Sequence, residues 1–113
     1  MRIASSQLNF RYGDQLHYPF AIGTLLAYAE SQQDDLEILP CCVIRQDLQD
    51  HIERVSTADI FLGSTYVWNW EATTILAREA KLRNPNLKVV LGGPQVPDDT
   101  SGFWEKYPFV DVL

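Results

Sequence analysis

The sequence alternates strand-like and helix-like segments along its length, and this alternation constrains the fold more than any other feature. The clearest strand is predicted at residues 59–64, whose apolar centre is what a strand buried on both faces of a sheet requires. A helix is predicted at residues 70–83, where apolar residues recur at helical spacing until Asn84-Pro85 ends the pattern. Strands that alternate with helices indicate a parallel sheet covered by helices on both faces.

The remaining segments complete the pattern. Further strands are predicted at residues 2–8, 36–44, 88–91 and 109–113, and further helices at 19–29, 47–55 and 101–107. Pro19 suits a first helical position, Asp47, Asn69 and Ser101 can cap their helices, and Pro40 favours an edge position for its strand. We therefore predict a Rossmann-like (flavodoxin-like) three-layer α/β/α fold, with a five-stranded parallel sheet in the order 2-1-3-4-5.

Composition bounds the class of protein. The 113 residues fit one domain, residues 1–113. Nine Lys+Arg against fifteen Asp+Glu give a net charge of −6, which disfavours a nucleic-acid partner. No apolar run reaches the roughly 18–20 residues of a membrane span. The only cysteines, Cys41 and Cys42, are adjacent, which is neither a disulfide framework nor a metal-ligand set, so the cytoplasm is the expected location.

Ligands of doubly wound folds bind at the carboxyl ends of the strands. Three unusual segments follow predicted strands here, at residues 9–18, 64–69 and 91–97. Tyr66 and Trp68 offer flat apolar faces that could sandwich a flat cofactor, or they could be core and rim residues. Gly92 and Gly93 could let the backbone approach a ligand and present N–H groups to an anion, or they could form a tight turn with positive φ. The candidate cofactor-binding residues are Asn9, His17, Tyr18, Ser64, Thr65, Tyr66, Val67, Trp68, Asn69, Gly92, Gly93, Pro94, Gln95 and Val96.

No catalytic residue is predicted. The motifs G-x-S-x-G, G-x-G-x-x-G and G-x-x-x-x-G-K-[ST] are absent, and no pair of carboxylates is placed as acid and base. His51 lies between Asp50 and Glu53 and is expected to be a solvated face residue. The sequence therefore predicts a binding edge and no chemistry of its own.

Four segments carry a resemblance to a known family. Residues 19–30 (PFAIGTLLAYAE), 58–69 (ADIFLGSTYVWN), 84–97 (NP followed by VVLGGPQVP) and 109–113 (FVDVL) occur in order and at fitting intervals. They resemble the cobalamin-binding domain of one class of radical S-adenosylmethionine enzymes. The resemblance covers nearly the whole chain.

The resemblance implies a cobalamin that lies over the carboxyl edge of the sheet. Its nucleotide tail would enter a pocket beside Gly92, Gly93 and Pro94, residues 64–69 would lie against the corrin, and residues 9–18 would form a further wall. The resemblance also implies a partner, the radical S-adenosylmethionine barrel domain, which would hold the [4Fe-4S] cluster and S-adenosylmethionine, often for methylation. Because the chain lacks C-x-x-x-C-x-x-C, it is expected to bind neither and to be the non-catalytic N-terminal part, or a fragment, of a larger enzyme.

The metal-ligating histidine of other cobalamin domains is not matched. Their motif is Asp-x-His-x-x-Gly, whereas Asp14, His17 and Gly23 are spaced too far apart here. The resemblance implies a base-off cofactor without a histidine ligand, with Trp68 or Tyr66 over the lower face of cobalt. No metal ligand is predicted, and His17 is the one candidate should a histidine bind cobalt.

Three alternatives stand beside this interpretation. The same fold could bind another flat or phosphorylated ligand such as a flavin or a nucleotide. A receiver-like signalling domain would need clustered acidic residues after the first strand and a lysine near the fifth, but Asp14 is isolated and no lysine follows Val110. A structural domain that docks onto a catalytic partner is the third.

Overall fold

The sheet is parallel throughout the part of the chain that the computed structural model describes, residues 1–11, 13, 15 and 17–113. Its strands are β1 (Arg2–Asn9), β2 (Glu37–Ile38), β3 (Cys42–Ile44), β4 (Ile60–Ser64) and β5 (Lys88–Gly92). They lie in the order β2-β1-β4-β5, and β3 pairs with β1 on the same side as β2. The predicted α/β class and flavodoxin-like arrangement are confirmed.

The predicted second strand, residues 36–44, is broken into two short pieces. β2 pairs with the start of β1 at Arg2 and Ile3, and β3 pairs with its end at Ser6 and Asn9. Pro40 lies between the pieces and has no N–H to donate to a sheet ladder. Its expected edge position is confirmed, and its missing donor accounts for the break.

The predicted fifth strand, residues 109–113, is reduced to a single parallel bridge between Val112 and Val90. Backbone hydrogen bonds join Asp111 N and Val112 N to Val89 O, and Leu91 N to Val112 O. The Asp111 carboxylate adds to these, because it accepts hydrogen bonds from Lys81 Nζ at 2.7 Å and Val89 N at 2.8 Å. The fifth position of the sheet is therefore occupied by a segment that pairs with β5 over a few residues only.

Helices cover both faces of the sheet. They are α1 (Phe20–Gln32), α2 (Leu48–Val55), α3 (Trp70–Arg83) and the short α4 (Phe103–Lys106). On one face, Ile22 and Leu26 of α1 pack in a cluster with Ile3. On the other, α2 and α3 form the larger core around Phe61 and Leu76, both fully buried. Each such side chain stabilises the fold by roughly 1.5–3 kcal/mol.

The helix starts differ from those predicted. Pro19 precedes the first residue of α1, and neither Asp47 nor Asn69 makes a side-chain capping bond. Ser101 does not cap α4 either, because Gly102 occupies the position before the helix with φ 72°. The side chain of Asn69 is engaged elsewhere, as described below.

His51 is buried, with 5% of its surface exposed, so the expected solvated position is wrong. Its Nε2 donates to the carbonyl oxygen of Ile44 at 2.8 Å. Because α2 starts at Leu48, His51 lies beside Ile52 on the inward side of the helix, with Val55 one turn further on.

The two cysteines are unpaired thiols within the core region. Burial raises the pKa of Cys42 to about 11 and also raises that of Cys41. Both thiols are therefore protonated at neutral pH and behave as small apolar residues. Among the described residues, no helix has the length and apolar character needed to cross a membrane.

Candidate functional site

The carboxyl ends of the central strands lie side by side, as the sequence predicts. Ser6 of β1 is level with Gly63 of β4, and Ser64 of β4 is level with Gly92 of β5. The segments that follow these strands consequently meet at one edge of the sheet.

Among the clefts lined by described residues, two at this edge share one wall. The first cleft has a volume of about 560 Å³ and is lined by Gln7, Asn9, Phe10, His17, Tyr18, Tyr66 and Trp68. The second cleft has a volume of about 300 Å³ and is lined by Ala21, Ile22, Leu25, Leu62, Gly63, Ser64, Tyr66, Val90, Gly92, Gly93 and Pro94. Tyr66 lines both clefts, so a ligand with two linked parts could occupy them together.

The rings of Tyr66 and Trp68 are stacked on each other, with centroids 4.6 Å apart and an interplanar angle of 12°. No flat molecule fits between rings in contact, so the expected sandwich is wrong and the pair forms one platform. Trp68 Nε1 donates to Asn9 Oδ1 at 3.0 Å, which fixes the platform to the end of β1. A ligand can therefore stack only on an outer face of the pair.

Asn69 joins the two strand ends and the aromatic loop. It is 1% exposed, its Oδ1 accepts the N–H of Tyr66 at 2.8 Å, and its Nδ2 donates to Leu8 O at 3.0 Å and Ser64 O at 3.2 Å. All three contacts are to backbone groups. Asn69 therefore positions the platform, and its side chain is engaged by the protein itself.

Thr65 performs a similar task between β4 and β5. It is fully buried, and its N–H and hydroxyl donate to the carbonyl oxygen of Gly92 at 2.7 and 2.8 Å. The loop after β4 and the turn after β5 are thereby held together below the second cleft.

The two glycines have different roles. Gly93 has φ 109°, and a Cβ there would lie 2.5 Å from Thr65 O and 2.9 Å from Thr65 N. The close approach at Gly93 is thus to the protein's own backbone. Gly92 has open space where a Cβ would lie, and it faces the second cleft. Gly93 thus has the positive φ that the turn interpretation expects. Both glycines line the second cleft, and contact with a ligand there stays a prediction.

The rest of this turn contributes mainly backbone structure. Gln95 N–H donates to Thr65 O at 3.3 Å, and Val96 N–H donates to Gly93 O at 3.2 Å. Neither amide is available to hold an anion. Val67 is 75% exposed, and it lines neither cleft.

The loop before α1 contributes His17 and Tyr18 to the first cleft, both with exposed side chains. Asp14, the acidic residue of the loosely matched histidine motif, lies outside the described residues. Gly23, the motif's last member, lies in α1 and lines neither cleft. The described part of this motif therefore forms no shared site.

The sequence analysis did not single out Gln7 or the residues that α1 contributes. Gln7 precedes Asn9 by two positions in β1, so the period-two rule of a strand places both on one face. Leu25 of α1 is 51% exposed and lines the second cleft with Ala21. Gln7 could have been found from the strand alternation that includes Asn9, and Leu25 from the predicted helix at residues 19–29.

The fold and its edge define a class: a doubly wound α/β domain with an aromatic platform and a glycine-bordered cleft at the carboxyl ends of its strands. No protein-family model matches the chain. The chain is 36% identical over 100 residues to the cobalamin-dependent radical SAM methyltransferase TokK of Streptomyces tokunonensis. It is 33% identical over 98 residues to 2-(S-pantetheinyl)-carbapenam-3-carboxylate methyltransferase of Streptantibioticus cattleyicolor.

Each match covers 84% of this chain and 14% of the relative. The resemblance to cobalamin-dependent radical S-adenosylmethionine enzymes, stated from the four sequence segments, is therefore confirmed by similarity along most of the chain. The chain spans about a seventh of the length of these curated relatives.

Proposed function

We propose that this chain binds a corrinoid, cobalamin, across the two clefts. The observation that carries the proposal is the position of Tyr66, which lines a wide cleft on one side and a narrower cleft on the other. A corrin ring and its tethered nucleotide tail have this bipartite shape. Bound cobalamin would supply a cobalt centre able to carry a methyl group.

The residues at the edge fit the two parts of this ligand. The stacked rings of Tyr66 and Trp68 offer a flat face to the corrin, and His17 and Tyr18 form the facing wall. The tail would enter the second cleft beside Gly92, where the missing Cβ leaves room. The remaining proposed cofactor contacts are Asn9, Ser64, Thr65, Val67, Asn69, Gly93, Pro94, Gln95 and Val96, several of them through backbone atoms.

The cofactor is proposed to bind base-off and without a histidine on cobalt. A metal-ligating histidine usually donates its other ring nitrogen to a carboxylate or carbonyl. Among the described residues, none forms such a bond with His17. Trp68 or Tyr66 would then cover the lower face of cobalt.

The relatives support a proposal about the larger protein. We infer that residues 1–113 act as the cobalamin-binding domain of a longer radical S-adenosylmethionine methyltransferase. The [4Fe-4S] cluster and S-adenosylmethionine would belong to its barrel domain, since the chain's two cysteines are adjacent and its described residues contain no group of three or more metal-ligating side chains.

A flavin or nucleotide site on the same fold is less well supported. Such a ligand needs a cradle of N–H groups for its phosphate. In the turn after β5, the N–H groups of Gln95 and Val96 already bond to backbone carbonyls. Pro94 has no N–H, so the turn beyond Gly93 adds no donor to such a cradle.

The test is to mix the chain with hydroxocobalamin, remove free ligand by desalting, and record the ultraviolet–visible spectrum of the protein fraction. We expect a retained corrin band. Flavin mononucleotide and ATP serve as matched probes for the alternative. A colourless protein fraction would overturn corrinoid binding by this chain, and retention of flavin instead would favour the alternative.

A further inference from the structure

The side-chain amide of Gln7 is incompletely bonded at the floor of the first cleft. Its Oε1 is shielded from solvent and has no hydrogen-bond partner among the residues that the structure describes. Gln7 lines the first cleft together with Tyr66 and Trp68. A buried acceptor without a partner destabilises a protein, so its retention calls for an explanation.

The strand is irregular where Gln7 lies. The register between β1 and β3 shifts between Ser6 and Asn9, because three residue steps in β1 match two in β3. Such an irregularity is frequent beside binding sites. Gln7 lies within it, between Ser6 and Asn9, at the strand end that lines the first cleft.

The neighbouring amide cannot take the same role. Asn9 Nδ2 donates to Gln7 O at 3.3 Å, and Asn9 Oδ1 accepts from Trp68 Nε1 at 3.0 Å. Asn9 is therefore used to fix the bulge to the aromatic platform. Gln7 is left as the amide at the floor of the cleft with an unused buried acceptor.

We propose that Gln7 determines ligand specificity in the first cleft by pairing its side-chain amide with a carboxamide of the ligand. Because Gln7 Oε1 is shielded in the ligand-free chain, the side-chain amide would turn toward the cleft when the ligand binds. Its Oε1 would then accept an N–H of that carboxamide, and the Gln7 amide N–H would donate to its oxygen. Corrinoids carry carboxamide side chains around the ring edge, so this inference rests on the proposed function and names the contact it uses.

The first experiment compares Gln7→Leu with the unsubstituted chain and with Gln49→Leu, a control at an exposed position of α2. Leucine removes both polar atoms and keeps a similar size. We expect Gln7→Leu to weaken hydroxocobalamin binding about 3- to 10-fold, the worth of one net hydrogen bond. The melting temperature of the ligand-free variant should be unchanged or higher, because the unpaired acceptor is gone. Gln49→Leu should change neither quantity.

The second experiment changes the ligand instead of the protein. Dicyanocobinamide and dicyano-cobyrinic acid heptamethyl ester both lack the nucleotide tail, but only the first carries carboxamide N–H donors. We expect the unsubstituted chain to prefer dicyanocobinamide by a ratio that shrinks 3- to 10-fold in Gln7→Leu.

The outcomes separate the two proposals. Corrinoid binding that Gln7→Leu leaves unchanged, or a lower melting temperature of its ligand-free form, would overturn the role of Gln7 alone. Absence of corrinoid binding by the unsubstituted chain would overturn the proposed function, and this inference with it.

Discussion

Replacing Gly93 by alanine should destabilise the fold at the candidate site. The new Cβ would lie 2.5 Å from Thr65 O, a backbone atom that cannot swing aside, and the residue would be held at φ 109°. Strained backbone of this kind costs about 1–3 kcal/mol, and overpacking adds about 1–3 kcal/mol. We therefore expect Gly93→Ala to lower the free energy of unfolding by about 2–4 kcal/mol, after partial relaxation.

The neighbouring glycine provides the matched control. A Cβ at Gly92 meets nothing within 4 Å, so Gly92→Ala should change stability by no more than about 0.5 kcal/mol. Urea unfolding followed by tryptophan fluorescence measures both variants, since the chain has three tryptophans. Equal stability of Gly93→Ala and Gly92→Ala would refute the steric argument. In contrast, substitution at Gly93 is a poor test of ligand binding, because it disturbs Thr65 first.

The remaining predictions concern the buried amide of Asn69, the carboxylate of Asp111 and the imidazole of His17. Asn69→Ala should lower the free energy of unfolding by about 2–4 kcal/mol, because it leaves buried backbone groups without partners. Replacement of the exposed Asn86 by alanine is the control and should change this free energy little. A loss below about 1 kcal/mol for Asn69→Ala in urea unfolding would contradict the prediction. Burial acts to raise the pKa of Asp111, but the bonds from Lys81 and Val89 outweigh it and hold that pKa below its ordinary value. The stabilisation that ionised Asp111 provides is therefore present above the ordinary pKa of about 3.9 and is lost as the pH falls through the lower pKa of the folded chain. The difference in free energy of unfolding between the chain and Asp111→Asn should consequently shrink below about pH 4. A difference that stays the same between pH 7 and pH 3 would count against this role of Asp111. His17→Ala should leave the visible spectrum of bound hydroxocobalamin unchanged, and a shifted band would make His17 an axial ligand.

Much of the fold was accessible from the sequence because burial leaves a pattern. The apolar run around Phe61 predicted the central strand, and helical spacing before Asn84-Pro85 predicted α3 within one or two residues. Pro40 correctly marked an edge strand. Its effect on strand length was missed because a lost ladder bond matters only once the pairing partner is known.

Features of the site that depend on contacts between distant residues were less accessible. Trp68, which stacks on Tyr66, is held by a hydrogen bond to Asn9, which is far away in sequence. The clash that requires glycine at position 93 is with Thr65, which follows another strand. His51 looked solvated because its sequence neighbours are charged, although the helix turns it inward beside Ile52. Segment patterns locate the edge, but they do not say which of its side chains are already bonded to one another.

The shared wall between the clefts bears on how tightly a ligand can be held. Each cleft is open and moderate in size, so each half of a ligand would bind weakly by itself. When the halves are joined covalently, occupation of one cleft raises the effective concentration of the other half at its own cleft. Tyr66, common to both, makes the required tether short. The edge should thus discriminate by connectivity, and favour one linked molecule over a mixture of its two separate parts.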